Sequence, residues 1–235
     1  MIPWQTLDAV EIPGGGSLRL LRRGPEFSIQ LGHNELMNSR VSGSEEALAR
    51  LACERIAGVA SPRLLIGGYG MGFTLRAALA ALPASAGLVV AELIPAVVAW
   101  ARGPMAGMTG TSLDDPRVGI REGDVVEAIR AGAGTYDAIL LDVDNGPDGL
   151  TRPANDRLYD AAGLHAVRAA LRPGGVLAVW SAHPDDAFTR RLGQAGFSVD
   201  EVGVRANGGR RGARHRIWLA AKPTSNRPAG RPLRH

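Results

Sequence analysis

The feature that most constrains the fold is an alternation of short apolar runs with helical segments between residues 63 and 182. Five of these runs have the length and composition of buried strands: RLLIGG (63–68), LVVAEL (88–93), RVGI (117–120), YDAILLD (136–142) and GVLAVWSA (175–182). The segments between them place leucine, valine and alanine at helical spacing. Because strands that alternate with helices pair in parallel, the sequence predicts an α/β fold with helices on both faces of a sheet.

Segments on either side complete the predicted architecture. FSVDEVGVRA and RHRIWLAAKP are strand-like and are joined by NGGRRGA, which predicts an antiparallel hairpin that closes a seven-stranded sheet. Short apolar segments before residue 41 alternate with the turn clusters PGGG and LGHNE, which predicts a small N-terminal β-subdomain over residues 1–41. SGSEEALARLACERIA then predicts an amphipathic helix with Ser42 and Glu45 as a capping box, so the main domain spans residues 42–222.

Composition and charge exclude several classes of protein. The chain has 235 residues, 45% hydrophobic and 21% charged, which is typical of a globular protein. The net charge of +4 is uneven: nine basic and no acidic residues follow Glu201, whereas the first 201 residues hold 18 basic and 23 acidic ones. Residues 223–235 are polar and proline-rich, which predicts a disordered basic tail. A nucleic-acid partner is therefore not expected from the net charge.

The cysteine count and hydropathy pattern favour the cytoplasm. Cys53 is the lone cysteine, so no internal disulfide can form, and its apolar helical setting predicts a small buried side chain. No apolar run approaches the length of a membrane span, and the segment MIPWQTLDAVE lacks the features of a secretory signal. We therefore expect a cytoplasmic protein with no membrane partner.

A glycine-rich loop follows the first strand of the alternating region. Its sequence is IGGYGMGF, and the glycines of interest are Gly68, Gly70 and Gly72. Glycine permits a sharp turn and a close approach of ligand to backbone, and the following helix supplies unpaired N–H groups. Glu92 closes the next strand, where a carboxylate can accept hydrogen bonds from ribose hydroxyls. The loop and Glu92 predict a site for a nucleotide-derived ligand, the alternative for Glu92 being a solvated strand end.

Acidic residues also follow the next two strands. Asp124 lies in REGDVVEAI, and Asp142 and Asp144 lie in YDAILLDVDNGPDG. Because ligands bind at the carboxyl ends of strands in open parallel sheets, these acids are expected around the glycine loop. Helix capping by Asp124, and turn formation by Asp142 and Asp144, are alternatives. The five histidines show no metal-ligand spacing to one another or to Cys53, so no metal is expected.

Over roughly residues 16–222 these motifs resemble the polyamine aminopropyltransferases, the family of spermidine and spermine synthases. The resemblance rests on the ordered segments IGGYGMGFTLRAAL, VVAELIP, DDPRV, REGDVVEAI, YDAILLDVDNGP and RLYDAAGLHAVRAALRPGGVLAVWS. It implies a methyltransferase-like Rossmann fold. LRPGG together with a closing hairpin is found in methyltransferase-like folds and not in dehydrogenases, which disfavours a nicotinamide cofactor. The N-terminal strands and the following helix are similar to the small β-domain of this family.

The resemblance also implies a reaction and its residues. An aminopropyl group would move from decarboxylated S-adenosylmethionine to an amine acceptor in a homodimeric enzyme. The implied cosubstrate-binding residues are Gly68, Gly70, Gly72, Glu92, Asp124 and Val125. Asp142 would hold the ammonium group of the acceptor and take its proton. The implied acceptor-binding residues are Glu46, Asp144, Tyr159 and Trp180.

Three positions depart from the family pattern. Asn145 stands where the family has a second aspartate, Ser44 where it has a tyrosine, and Trp180 where it often has a glutamine. Two alternatives therefore stay open beside aminopropyl transfer. One is a methyltransferase that uses S-adenosylmethionine on the same fold, and the other is a nucleotide-binding homologue without catalysis.

Overall fold

The computed structural model describes residues 2–13, 15–142, 157–208 and 212–224. The strands are β1 Gln5–Glu11, β2 Ser17–Arg23, β3 Glu26–Leu31, β4 Asn34–Asn38, β5 Arg63–Gly67, β6 Gly87–Glu92, β7 Val118–Glu122, β8 Tyr136–Leu141, β9 Leu171–Ser181, β10 Ser198–Arg205 and β11 Arg214–Ala221. The helices are α1 Gly43–Arg55, α2 Phe73–Ala81, α3 Pro95–Arg102, α4 Ala106–Thr109, α5 Val125–Ala131, α6 Ala161–Ala170 and α7 Asp186–Gln194, with a 3₁₀ turn at Ser112–Asp114.

The large sheet contains seven strands in the order β10-β11-β9-β8-β5-β6-β7. Strands β7, β6, β5, β8 and β9 pair in parallel, and β11 pairs antiparallel with both β9 and β10. Strand β5 lies between β6 and β8, so the connections leave it in opposite directions across the sheet. Ligands bind beside such a reversal point in α/β folds, because the loops after the two diverging strands leave a crevice between them.

The apolar runs form strands because the sheet is buried on both faces. All six residues of β8 are buried, and in β5 Leu64 and Ile66 join one apolar cluster while Leu65 joins the cluster on the other face. This alternation follows from the two-residue side-chain period of a strand. Cys53 lies in the first cluster, where burial raises the pKa of its thiol to about 11 and leaves it an apolar packing group.

The N-terminal strands form a separate antiparallel sheet in the order β1-β2-β3-β4. Its apolar side chains, among them Leu20 and Phe27, belong to the same cluster as Leu48 of α1. Trp100 of α3 also donates a hydrogen bond from Nε1 to Asp8 Oδ2 on β1, at 2.7 Å. These contacts hold the small sheet against the carboxyl-terminal edge of the large one, where it forms one wall of the crevice.

The predicted α/β fold, with its seven-stranded sheet, closing hairpin and preceding β-strands, is confirmed. The cap of α1 differs from the predicted capping box, because Ser42 Oγ accepts no hydrogen bond from a backbone N–H of the helix. Ser42 instead donates its hydroxyl hydrogen to Glu46 Oε1, which lies one helical turn away on the same face. The division into domains stays a prediction. Residues 225–235 of the predicted tail, and Asp144 and Asn145, lie outside the described residues.

Candidate active site

The ends of four parallel strands meet at one edge of the sheet. The glycine loop follows β5, Glu92 ends β6, Asp124 follows β7 and Asp142 follows β8. Because β6, β5 and β8 are neighbours, Glu92 and Asp142 lie on opposite sides of the loop. The cavity at this edge has a volume of about 160 Å³ and opens to solvent, and Gly68, Gly70, Glu92, Asp124, Val125 and Asp142 are among the residues that line it. The structure thus brings most of the predicted cosubstrate residues together.

The glycine loop has a backbone that side chains would disrupt. Gly70 has φ +56° and Gly72 has φ +73°, both in the left-handed region that favours glycine. A Cβ atom on Gly70 would lie 2.9 Å from the Met37 side chain, and one on Gly72 would lie 2.5 Å from Tyr69 Oη. Gly72 ends the loop at the first turn of α2 and is not part of the cavity wall. Its role is to let the loop turn into the helix.

Glu92 is a buried acid that is bonded to the loop. Its Oε2 accepts a hydrogen bond from the backbone N–H of Tyr69, and its Oε1 accepts one from Ile94, both at 2.8 Å. Burial raises the pKa of the Glu92 carboxyl, while these N–H groups favour its charged form. Each carboxylate oxygen accepts two hydrogen bonds, so Glu92 can brace the loop and still accept from a ligand hydroxyl.

Asp124 both caps a helix and lines the cavity. Its Oδ1 accepts a hydrogen bond from Val126 N at 2.8 Å at the start of α5, which leaves its Oδ2 available. The two interpretations of the sequence, helix cap and ligand contact, are therefore compatible. Val125 borders the same cavity beside Asp124, so one residue pair offers a carboxylate oxygen, an apolar side chain and the backbone N–H of Val125.

The side of the cavity opposite the acids is apolar. It is formed by side chains of the N-terminal sheet and of the turn between β1 and β2: Ile12, Leu18, Ile29, Leu31, Leu36 and Met37. The sequence pattern predicts no ligand contacts for the N-terminal strands. An apolar wall facing a few polar groups is the usual composition of a small-molecule site, and it suits a flat aromatic base and a thioether.

Asp142 is an acid with a raised proton affinity. Burial, followed by the nearby charge of Glu45, raises the pKa of its carboxyl from 3.8 to about 7, and a hydrogen bond from Thr74 Oγ1 at 3.1 Å opposes the rise. A carboxyl with a pKa near neutrality can accept a proton at physiological pH and release it again. Asp142 therefore has the properties of a general base.

Glu45, and not the predicted Glu46, faces Asp142. Glu45 lines a narrow part of the cavity with Asp142 and Thr74, whereas Glu46 is exposed on the other side of α1 and accepts the hydrogen bond from Ser42. Adjacent helical residues point about 100° apart, so only one of two consecutive glutamates can face the crevice. Glu45 is the functional candidate that sequence reasoning missed. The sequence feature that could have identified Glu45 is its position three residues before Leu48, because residues three apart lie on the same face of a helix. Leu48 is fully buried on the inner face of α1.

The two aromatic candidates are placed differently from each other. Tyr159 is 3% exposed and packs its ring edge-to-face on Phe188, with ring centroids 5.5 Å apart, inside the apolar cluster on the far face of the sheet. Trp180 lies at the end of β9 and packs edge-to-face on His215 at 4.8 Å. Neither residue lines the cavity that holds Glu92 and Asp142. Their predicted role at the acceptor end stays a prediction.

The described residues contain neither a metal-binding cluster nor a membrane-spanning helix. Among residues 2–13, 15–142, 157–208 and 212–224, no three or more His, Cys, Asp or Glu side chains are grouped so that they could hold a metal ion. In the same part of the chain no helix is long and apolar enough to cross a membrane.

Comparison with known proteins gives sequence matches to one enzyme class. The chain is 33% identical over 145 residues to polyamine aminopropyltransferases of Mycobacterium tuberculosis and Mycobacterium bovis. The match covers 58% of this chain and 27% of each relative, so the chain matches about a quarter of their length. No protein-family profile matches the chain.

Solved structures extend the similarity to the whole fold. Spermidine synthase from Thermotoga maritima has a TM-score of 0.72 and 19% identity, covering 94% of this chain and 74% of its own. A spermidine synthase bound to the transition-state analogue AdoDATO has a TM-score of 0.71 and 18% identity, covering 94% and 73%. Human methyltransferase-like protein 13 bound to SAH has a TM-score of 0.55 and 20% identity, covering 80% and 83%.

The sequence match and the structural matches agree on one resemblance. The similarity to structures includes the N-terminal sheet for the spermidine synthases, which cover 94% of the chain, and less of the chain for the methyltransferase. The resemblance inferred from the motifs is confirmed: the chain is similar in sequence to polyamine aminopropyltransferases and has the methyltransferase-like fold of the spermidine synthases.

Proposed function

We propose that the chain is an aminopropyltransferase that moves an aminopropyl group from decarboxylated S-adenosylmethionine to an amine acceptor. The observation that supports this most directly is the acid pair of Asp142 and Glu45 in the crevice, where Asp142 has a pKa of about 7. Two facing carboxylates repel each other unless a cation or a proton lies between them. An amine acceptor supplies that cation.

The reaction needs an amine with a free lone pair. In the bound cosubstrate the sulfonium makes the adjacent carbon electrophilic, and the amine displaces methylthioadenosine from that carbon. An alkylamine is protonated at neutral pH, because the pKa of such a group is about 10.4. Asp142 holds the ammonium group, accepts one proton and leaves the lone pair free. Such general-base assistance contributes about 10²- to 10⁴-fold to a rate.

Glu45 has a supporting role in this scheme. Its charge is the second cause of the raised pKa of Asp142, after burial. Glu45 therefore makes Asp142 a stronger base than an isolated carboxylate, which raises the driving force for proton transfer from the ammonium group. Because Glu45 also lines the narrow part of the cavity, it adds a second negative charge for a cationic acceptor.

The remaining cavity suits the adenosyl part of the cosubstrate. Glu92 has acceptor capacity for ribose hydroxyls, and Asp124 with Val125 offers an oxygen acceptor and backbone N–H for the base. Gly68 and Gly70 let the ligand approach the backbone beside Asp142. The relatives named polyamine aminopropyltransferases and the spermidine synthase bound to AdoDATO support a cosubstrate of this class.

Product analysis tests the proposal. The protein is incubated with decarboxylated S-adenosylmethionine or with S-adenosylmethionine, each with a panel of mono-, di- and polyamines. We expect methylthioadenosine from the decarboxylated cosubstrate and an amine. If methylthioadenosine forms with no amine of the panel while both ligands bind, aminopropyl transfer is refuted.

The same experiment decides between the alternatives. The similarity to methyltransferase-like protein 13 bound to SAH favours a methyltransferase as the second candidate. Its product from S-adenosylmethionine would be S-adenosylhomocysteine. Binding of methylthioadenosine without formation of either product would support the non-catalytic homologue.

We also propose that the enzyme is a homodimer and that it works in the cytoplasm. The proposal of a homodimer rests on the resemblance to the aminopropyltransferases. The proposal of a cytoplasmic location rests on Cys53, which is buried and forms no disulfide. Light scattering coupled to size-exclusion chromatography measures the oligomeric state, and fractionation of the source cells measures the location.

A further inference from the structure

Thr74 carries a buried hydroxyl that contacts the general base. It lies in the first turn of α2, is 5% exposed, and donates a hydrogen bond from Oγ1 to Asp142 Oδ2 at 3.1 Å. Among residues 2–13, 15–142, 157–208 and 212–224, the hydroxyl has no other hydrogen-bond partner. Because a buried hydroxyl needs an acceptor for its hydrogen, the hydrogen of Thr74 is committed to the Asp142 carboxyl.

The glycine loop determines where the Thr74 side chain lies. Gly70 and Gly72 have positive φ, and Gly72 is the N-cap of α2, two residues before Thr74. The turn through these glycines brings the first turn of α2 to the end of β8, although Thr74 and Asp142 are 68 positions apart in the sequence. The branched Cβ of threonine also restricts its side chain to few rotamers. The loop and the stiff side chain together hold the hydroxyl against the carboxyl.

The hydrogen bond from Thr74 makes the two oxygens of Asp142 unequal. Oδ2 accepts the Thr74 hydrogen, whereas Oδ1 has no hydrogen-bond donor in the part of the chain that the structure describes. A proton placed on Oδ2 would compete with the Thr74 hydrogen, which would then be buried without an acceptor. A proton on Oδ1 leaves the Thr74 bond intact, because Oδ2 of a neutral carboxyl still accepts a hydrogen bond. Oδ1 is therefore the oxygen suited to take a proton.

Neighbouring elements act on the Asp142 carboxyl in opposite directions. Glu45 on α1 is the second cause, after burial, of its raised pKa. Thr74 on α2 lowers this pKa, because a hydrogen bond to the charged form of a carboxyl stabilises that form. The other groups near the Asp142 carboxyl are the cavity-lining acids Glu92 and Asp124, the uncharged Gly67 on β5 and Val179 on β9, and Arg76 on α2, which is bonded to the Met71 carbonyl.

We propose that Thr74 is a positioning residue that presents Oδ1 of Asp142 to the amine acceptor. This inference rests on the proposed function. When the base acts, one N–H bond of the ammonium group breaks, its electron pair stays on the nitrogen, and the proton forms an O–H bond with Asp142 Oδ1. The Thr74 hydrogen stays on its own oxygen throughout. Asp142 lines a cavity that opens to solvent, so the proton passes to water after the product leaves.

The first test needs no substrate. Carbon-13 NMR of the side-chain carboxyls follows the titration of Asp142 in the ligand-free protein, and Asp142→Asn identifies its signal. Thr74→Val keeps the shape and removes the hydroxyl, so it should raise the pKa of Asp142 above the parent value of about 7. Thr74→Ser keeps the hydroxyl and should leave this pKa unchanged. Thr109→Val is the matched control, because Thr109 is also buried and donates to the carbonyl of Ala101. An equal pKa of Asp142 in the parent and in Thr74→Val overturns the proposal.

The second test measures turnover as methylthioadenosine release over a range of pH. Thr74→Val should lower kcat about 10-fold at neutral pH, because one hydrogen bond to a charged group is lost, and should leave the KM of the cosubstrate unchanged. The acid limb of its kcat profile should move to higher pH, since less of Asp142 is ionised at a given pH. Part of the loss should remain above the pKa of both proteins, because the carboxyl is no longer held. Thr74→Ser should restore the parent profile, and Thr109→Val should not change it.

The outcomes separate the role of Thr74 from the proposed function. An unchanged pH profile of kcat in Thr74→Val, or a raised KM with kcat unchanged, overturns the positioning role and leaves the aminopropyl reaction intact. A Thr74→Ser variant that behaves like Thr74→Val also overturns it, because the branched shape and not the hydroxyl would then matter. If the parent protein releases no methylthioadenosine with any amine, the proposed function fails, and the NMR titration alone decides whether Thr74 acts on Asp142.

Discussion

Replacing Asp142 with Asn should stabilise the protein and inactivate it. In the folded protein, burial and the charge of Glu45 raise the pKa of Asp142 from 3.8 to about 7. Between these two pH values the folded protein holds a proton that the unfolded chain has already lost. A group with a raised carboxyl pKa therefore lowers stability as the pH rises, and the whole loss is present above about pH 7.

The loss in free energy of unfolding can be calculated from the shift in the pKa of Asp142. About three pKa units at 1.36 kcal/mol each amount to roughly 4 kcal/mol, as an upper value because Glu45 shares the proton. Asp142→Asn removes the charge and keeps the shape, so at pH 8 the variant should unfold with a free energy higher by up to that amount. For a chain of this size the gain corresponds to a rise in Tm of roughly 8–16 °C. At pH 4 the folded parent holds Asp142 protonated and the unfolded chain has only begun to lose this proton, so the two proteins should melt at nearly the same temperature.

Thermal unfolding at pH 8 and at pH 4 measures the difference in Tm between Asp142→Asn and the parent. Asp124→Asn is the matched control. Asparagine caps a helix about as well as aspartate, so the control removes a charge from the same cavity with little change in Tm. Turnover of Asp142→Asn should fall at least about 10²-fold while methylthioadenosine binding changes little. If Asp142→Asn is no more stable than the parent at pH 8, or gains equally at pH 4, the carboxyl is not a destabilised base and the argument fails.

Three further predictions concern the surrounding residues. Glu45→Gln should move the acid limb of the pH profile of kcat to lower pH, because it removes a charge that raises the pKa of Asp142. Glu46→Gln should leave this pH profile unchanged. Glu92→Gln should weaken methylthioadenosine binding by about 1.5–3 kcal/mol in calorimetry, since charged hydrogen bonds are lost; equal affinity would mean that Glu92 only braces the loop. Gly70→Ala should lower the free energy of unfolding by more than about 1 kcal/mol because of its positive φ, and Gly107→Ala, in open space on α4, should not.

The sequence was sufficient to predict the large sheet and the edge at which the site lies. Each buried strand is a nearly continuous apolar run, as in β8, and such runs have few alternative structures between amphipathic helices. The acids at the strand ends follow from the same pattern, because the carboxyl ends of parallel strands share one edge. Glu92, Asp124 and Asp142 were found in this way.

The parts that depend on contacts distant in sequence were not predicted. Glu45 and Glu46 are equivalent in a motif comparison, and only the packing of α1 shows which of them faces the crevice. The apolar wall from the N-terminal sheet depends on how two sheets pack, which a strand pattern does not determine. Likewise, the contact between His215 Nδ1 and Ser44 Oγ, at 3.0 Å, joins residues that are 171 positions apart and leaves no signal in the sequence pattern.

The acid pair also bears on which cosubstrate the cavity accepts. Intact S-adenosylmethionine has a carboxylate on the chain attached to its sulfonium, whereas the decarboxylated form ends in an ammonium group. Bringing a third carboxylate toward Asp142 and Glu45 adds like-charge repulsion in a partly buried site, where screening by water is weak. The ammonium end instead offsets the repulsion between the two acids. The arrangement of charges therefore supports transfer of an aminopropyl group over transfer of a methyl group, independently of the resemblance in sequence.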